Sequence, residues 1–87
     1  MDRQESPPAR SSLKTALAGG LKLIRTEIYG EDGQAELATR LGLPPRTWAN
    51  YERGVTVPGE VLLGFIELTG TAPLWLFRGV GRKYPAG

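Results

Sequence analysis

Apolar residues recur along the first third of the chain at Leu13, Leu17, Leu21, Ile24 and Ile28, in steps of four, four, three and four that lay one stripe along a helix. Ser11 or Ser12 is a good cap for that helix, and Tyr29-Gly30 ends it. Gly19 and Gly20 interrupt the stripe, each at a cost of about 1 kcal/mol relative to alanine. The pair marks a weak point, a close helix contact, or a helix that begins only at Leu21. Gly30 to Gly33 reads as a short turn, with Asp32 placed to cap the next helix. That second helix is predicted from Leu37, Ala38 and Leu41, which share one side, and Gly42 stops it. Pro44 and Pro45 forbid continuation, and proline at a first helical position starts a third helix near Pro45, closed by Gly54. After the linker Val55-Thr56-Val57, Pro58 and Glu60 open a fourth helix, whose wide apolar face is Val61, Leu62, Phe65, Ile66 and Leu68 and whose end is Gly70. Pro73 begins a short fifth helix with Leu74, Trp75, Leu76 and Phe77, too apolar all round to be wholly exposed on a monomer.

The third helix has two opposed faces. At about 100° per residue, Trp48 and Tyr51 fall together, while Arg46, Asn50 and Arg53 fall within roughly 60° of one another on the other side. The aromatic pair belongs to a core rather than to a stacking platform for single-stranded bases. A guanidinium suits the O6 and N7 edge of guanine, and a carboxamide suits the N6 and N7 edge of adenine, so the polar face fits a DNA major groove. A solvated helix face is the plainer alternative for the same three residues. Thr47 and Ala49 flank the stripe, where a hydroxyl reaches phosphate and a methyl meets a thymine methyl. Arg40, on the outer side of the second helix, faces either solvent or phosphate.

Composition narrows the chemistry. The 87 residues suffice for one small domain. With no cysteine and no histidine, disulfides, thiolate metal sites, the usual general base and the nucleophilic triads are all removed. No catalytic residue, metal, cofactor or small-molecule ligand is expected, and the chain is not expected to be an enzyme. The acids Glu27, Glu31, Asp32 and Glu36 scatter around a helix end without a nucleophile or second ligand type, which favours a solubilising surface over a metal or acid–base pair. A net charge of +2 is slight, and only its distribution is informative. No apolar run approaches the ~20 residues of a membrane span, and the first residues lack a signal peptide's apolar core, so a cytoplasmic protein without a membrane partner is expected. Residues 1–11, polar and broken by Pro7 and Pro8, read as a flexible tail in which Arg3 and Arg10 are offset by Asp2 and Glu5. The domain is expected over residues 12–81, and residues 82–87 as a short basic tail, whose Arg82 and Lys83 join Arg78 either in phosphate contacts or merely in terminating the fold.

Gln34, Leu37-Ala38, Leu41-Gly42-Leu43, Trp48, Tyr51 and Glu52-Arg53-Gly54, continued by Pro58, Thr69-Gly70 and Trp75-Leu76, resemble the phage repressor and Cro-like helix-turn-helix family. The resemblance covers roughly residues 21–81. It implies an all-α, compact five-helix lambda-repressor-like domain that binds double-stranded DNA as a homodimer, a transcriptional regulator of repressor type reading the major groove with its third helix. It also implies roles. Gln34 matches a phosphate clamp that supports the recognition helix; Pro45, Arg46 and Asn50 match base-touching positions; Arg53 matches a backbone contact; Arg25 and Glu52 match a scaffold ion pair. Proline has no donor, so any base contact of Pro45 is apolar. The turn Gly30-Glu31-Asp32-Gly33 looks longer than is usual in the family, and its two acids are expected to point away from DNA. The alternative function is a protein-interaction module, such as an antitoxin or adaptor, using the apolar helix around Leu74 to Phe77.

Overall fold

Proline and glycine divide the chain into helices at nearly the expected places. The computed structural model describes residues 10–85, with side chains from residue 13 onward, and every regular element in it is helical: α1 (Arg10–Tyr29), α2 (Gln34–Arg40), α3 (Pro45–Glu52), α4 (Gly59–Thr69) and α5 (Pro73–Arg78). Of the tail expected at residues 1–11, residues 1–9 lie outside the described residues. Arg10 and Ser11 are already helical, so neither Ser11 nor Ser12 is the cap of α1.

α1 runs unbroken through Gly19-Gly20. Gly20 marks a close approach: a Cβ there would stand 3.0 Å from Leu76 Cδ1 and 3.4 Å from the Leu76 carbonyl oxygen, so its missing side chain lets α5 lie against α1. Gly19 has no such neighbour. The stripe of α1 is buried only in its middle. Leu21 and Ile24 are fully buried and Ala18 nearly so, whereas Leu13 and Ile28 are 52% and 43% exposed. A 20-residue helix is about 30 Å long. The seven residues of α2 and six of α5 cover only part of that length.

Each of the five helices contributes to one core: Leu21 and Ile24 from α1, Leu37 and Ala38 from α2, Trp48 and Tyr51 from α3, Phe65 from α4 and Leu76 from α5. Trp48 sits at its centre. Its ring stacks on Phe65 at 5.3 Å and meets Tyr51 edge-on at 6.0 Å, geometries that satisfy the ring quadrupole. The face of α4 is less completely buried than its pattern suggests. Phe65 is covered, but Leu68 is 36% exposed and Leu63, on the outer side, 68%.

Asp32 does not cap α2. Gly33 occupies that position without any side-chain cap, and its carbonyl accepts from Leu37 N at 3.0 Å. Only glycine fits there, because a Cβ would overlap the Tyr29 Cβ and backbone at the end of α1. Between α2 and α3 the chain turns through Gly42 at φ +73°, where a side chain would be strained. Leu43 N reaches back to the Ala38 carbonyl at 2.8 Å, satisfying a carbonyl left open by the helix end. Pro44 is extended and Pro45 starts α3.

The segment expected as a C-terminal tail is tied to the fold as far as it is described. Lys83 O accepts from Ala72 N at 2.8 Å, Tyr84 Oη donates to Glu27 at 2.8 Å, and Lys83 Nζ bonds the same carboxylate while lying 5.7 Å from the Trp75 ring centre. Bonds from Lys83 and then Tyr84 hold the Glu27 carboxyl below its usual range, and burial together with Glu27 pushes the Tyr84 phenol up to about 12.

Candidate nucleic-acid interface

The sequence of α3 alternates what it buries and what it shows. Trp48 and Tyr51 turn into the core, and the opposite side carries Arg46 and Arg53, both exposed, with Thr47, Ala49 and Asn50 half-buried among them. Pro45 is exposed at the first position of the helix. Among the described residues Arg46 takes no protein partner. Arg53 is engaged. One of its guanidinium nitrogens donates to Asn50 Oδ1, so two side chains expected to act separately form one unit.

What holds this face in place lies beneath it, at Glu52. Its carboxylate accepts from Arg25 Nη2 at 2.7 Å, Arg25 Nε at 2.9 Å, Gln34 Nε2 at 2.9 Å and Trp48 Nε1 at 2.6 Å. Arg25, only 3% exposed, spends its third nitrogen on the Gly30 and Glu31 carbonyls, both at 2.8 Å. One cluster therefore joins α1, the α1–α2 turn, the first residue of α2 and the end of α3. A buried guanidinium is tolerable only when charge and hydrogen bonds are supplied together, and here both are. The hydrogen bond to Glu52 leads in raising the Arg25 pKa, against burial, with the charges of Glu52, Glu31 and Asp32 adding to it. Burial pushes Glu52 up, but the bonds from Arg25, Gln34 and Trp48 outweigh it and hold the carboxyl below its usual range.

Arg25 and Glu52, paired by the family resemblance, are thus in direct contact, and Gln34 bonds the residue at the end of α3 rather than standing free. Beside this cluster a polar cleft of about 290 Å³ is lined by Lys22, Arg25, Glu31, Gln34, Ala49, Glu52 and Arg53. It brings Gln34, Ala49 and Arg53 together. Lys22 was not anticipated, although it lies three residues before Arg25 and so on the same side of α1. Glu31 lines the cleft as well, in company with Gln34 and Arg53. Arg40 stands apart from this group. It bonds Glu36 one turn earlier at 3.3 Å and lies 5.9 Å from the Tyr29 ring centre, an exposed pairing of little energetic weight.

An arrangement of guanidinium, ammonium and carboxamide donors around an exposed helix can bind phosphate oxygens and acceptor atoms of bases. Comparison with family models, curated proteins and solved structures finds no match to the chain. Among the described residues no helix is long and apolar enough to cross a membrane.

Proposed function

We propose that this protein is a sequence-specific double-stranded DNA-binding regulator, probing the major groove with α3 of a helix-turn-helix formed by α2 and α3. The observation that carries the reading is the opposition of the two faces of α3: Trp48 and Tyr51 are locked inward, Glu52 is clamped from three sides, and Arg46, Asn50 and Arg53 are left outward. Such a helix is rigid where it must hold position and polar where bases present their edges. Repression, by covering a promoter, is the simplest regulation open to a DNA-bound domain of this size. Selection from a random duplex pool tests the reading. Recovery of a preferred site, with amide shifts of α3 on adding that duplex at low salt, is the expected result, and absence of both would sink it. Arg46→Ala is expected to weaken the preferred site by about 1 to 3 kcal/mol and to relax one base position, measured by titration against single-base variants.

The DNA reading includes a homodimer. Eight residues of α3 extend roughly 12 Å, which faces only about four base pairs. A second copy doubles the site read. The surface that supports it is an apolar groove of about 280 Å³ between the first half of α1 and the linker from α3 to α4, reached from α5 by Phe77; its lining includes Leu13, Val55 and Phe77, exposed by 52%, 53% and 44%. Phe77→Asp is expected to leave the helical spectrum unchanged, to shift the sedimenting species from dimer to monomer, and to weaken operator binding about a hundredfold through lost avidity. A wild-type protein that sedimented as a monomer at the concentration where it binds DNA would remove the dimer.

The same groove supports a second reading, a protein-interaction module of antitoxin or adaptor type. A wild-type chain that selects no duplex, and whose copurifying partner is lost on Phe77→Asp, would favour it.

A further inference from the structure

The outer face of α3 has a chemical bias that its residue types alone do not reveal. Asparagine carries both an acceptor and two donors, and with both ends free it matches adenine, accepting from N6 and donating to N7. In this protein the acceptor end is engaged. Asn50 Oδ1 takes a hydrogen bond from Arg53 Nη2, one turn further along the helix. The backbone sets the spacing of the two residues: the Asn50 carbonyl accepts from Arg53 N at 3.0 Å and from Val55 N at 3.1 Å, and Arg53 itself ends the helix at φ −97°, ψ 4°. With Oδ1 engaged, Nδ2 is the end of the carboxamide that has no protein partner among the described residues. Arg46, with no protein partner among the described residues, adds five more donors, and Arg53 retains those it does not spend on Asn50. From Arg46 to Arg53 the face is therefore almost entirely donor.

Resting on the DNA reading above, we infer that Arg53 is a positioning residue that turns Asn50 into a donor, so that Asn50 reads a guanine and not the adenine that asparagine ordinarily reads. Guanine offers two acceptors, O6 and N7, on its major-groove edge, whereas adenine offers N7 beside the N6 donor. The second lone pair of Oδ1 remains, but an adenine N6–H directed at it would meet the guanidinium alongside, positive against positive. A guanine O6 in the same place is attracted by that charge. The role differs from a phosphate contact, which would hold the duplex without favouring any base.

The test uses the full chain and two measurements. In duplex selection, the base pair whose preference is lost in Asn50→Ala identifies the position Asn50 reads. The expected result is a G·C pair there, preferred by roughly fivefold or more over A·T in the wild type, with the preference moving toward A·T in Arg53→Ala. An A·T pair in the wild type, or an Arg53→Ala protein that binds more weakly to every sequence with its preference intact, overturns the inference while leaving DNA binding standing. The second measurement needs no DNA: the Asn50 side-chain amide resonances are expected to shift and their two proton frequencies to converge in Arg53→Ala, and no change would also overturn it. Arg53 is exposed, so the variant folds. A wild-type chain that selected no duplex would instead overturn the DNA reading, and this inference with it.

Discussion

Glu52→Ala is expected to lower the stability of the domain by about 3 to 5 kcal/mol, measured by urea unfolding followed through helical ellipticity. A chain of this size holds roughly 5 to 10 kcal/mol in all, so the variant is close to unfolding at growth temperature. The magnitude comes from what remains. Arg25 stays 3% exposed with two carbonyls but no carboxylate bonded to it, left to the charges of Glu31 and Asp32, while Gln34 and Trp48 each lose an acceptor. Substituting both members, as Arg25→Met with Glu52→Leu, is expected to recover part of the loss because no charge is then stranded. A double-mutant cycle measures the coupling. A loss below 1 kcal/mol in Glu52→Ala would show that water reaches Arg25 and that the cluster does not hold α3.

The same carboxylate sets an acid limit. Its pKa is lower in the folded protein than the ~4.3 of an unfolded glutamate, so the unfolded state binds the proton more readily. The stabilisation is whole above the unfolded value and is lost as pH falls through the folded one. Wild-type stability should therefore decline below about pH 4, and Glu52→Ala should lack that part of the decline.

Much of the fold was legible because its boundaries are local. Pro45, Gly42, Gly70 and Pro73 act on their own backbone and need no knowledge of distant residues, and the pairing of Trp48 with Tyr51 comes from helical spacing alone. The features that were not legible depend on distance or on supply. Leu13 and Ile28 continue a sound apolar stripe, yet α1 outruns the helices available to cover it. Asp32 is an apt cap by type, but the close approach of Gly33 to Tyr29 takes the position. The bonds of Lys83 and Tyr84 to Glu27 join polar residues more than fifty positions apart, and exposed polar pairs leave no periodic trace. At the candidate site, helical spacing placed Arg46, Asn50 and Arg53 on one face, and only the family resemblance pointed to Arg25 with Glu52. The fourfold coordination of Glu52 and the bond between Arg53 and Asn50 were invisible, since residue spacing says which side chains are neighbours and not which atoms meet.

Trp48→Ala is expected to cost about 3 to 5 kcal/mol, by the same unfolding measurement. Trp48 is fully buried, and its removal takes away a stacked partner of Phe65, an edge partner of Tyr51 and a donor to Glu52. Trp48→Phe separates these contributions. A smaller ring keeps the contact with Phe65 but has no N–H, and a hydrogen bond to a charged group contributes about 1.5 to 3 kcal/mol. That variant is expected to lose less than Trp48→Ala, and to lose it in a distinctive way. With one donor fewer, Glu52 is held less far below its ordinary range, so the folded and unfolded pKa values draw together and the decline in acid becomes shallower than in wild type. If Trp48→Phe kept the full wild-type acid dependence, the indole would be acting through packing alone. If the dependence is reduced, one residue both fills the core and steadies the carboxylate that clamps α3, which ties the stability of the domain to the orientation of the face carrying Arg46 and Asn50.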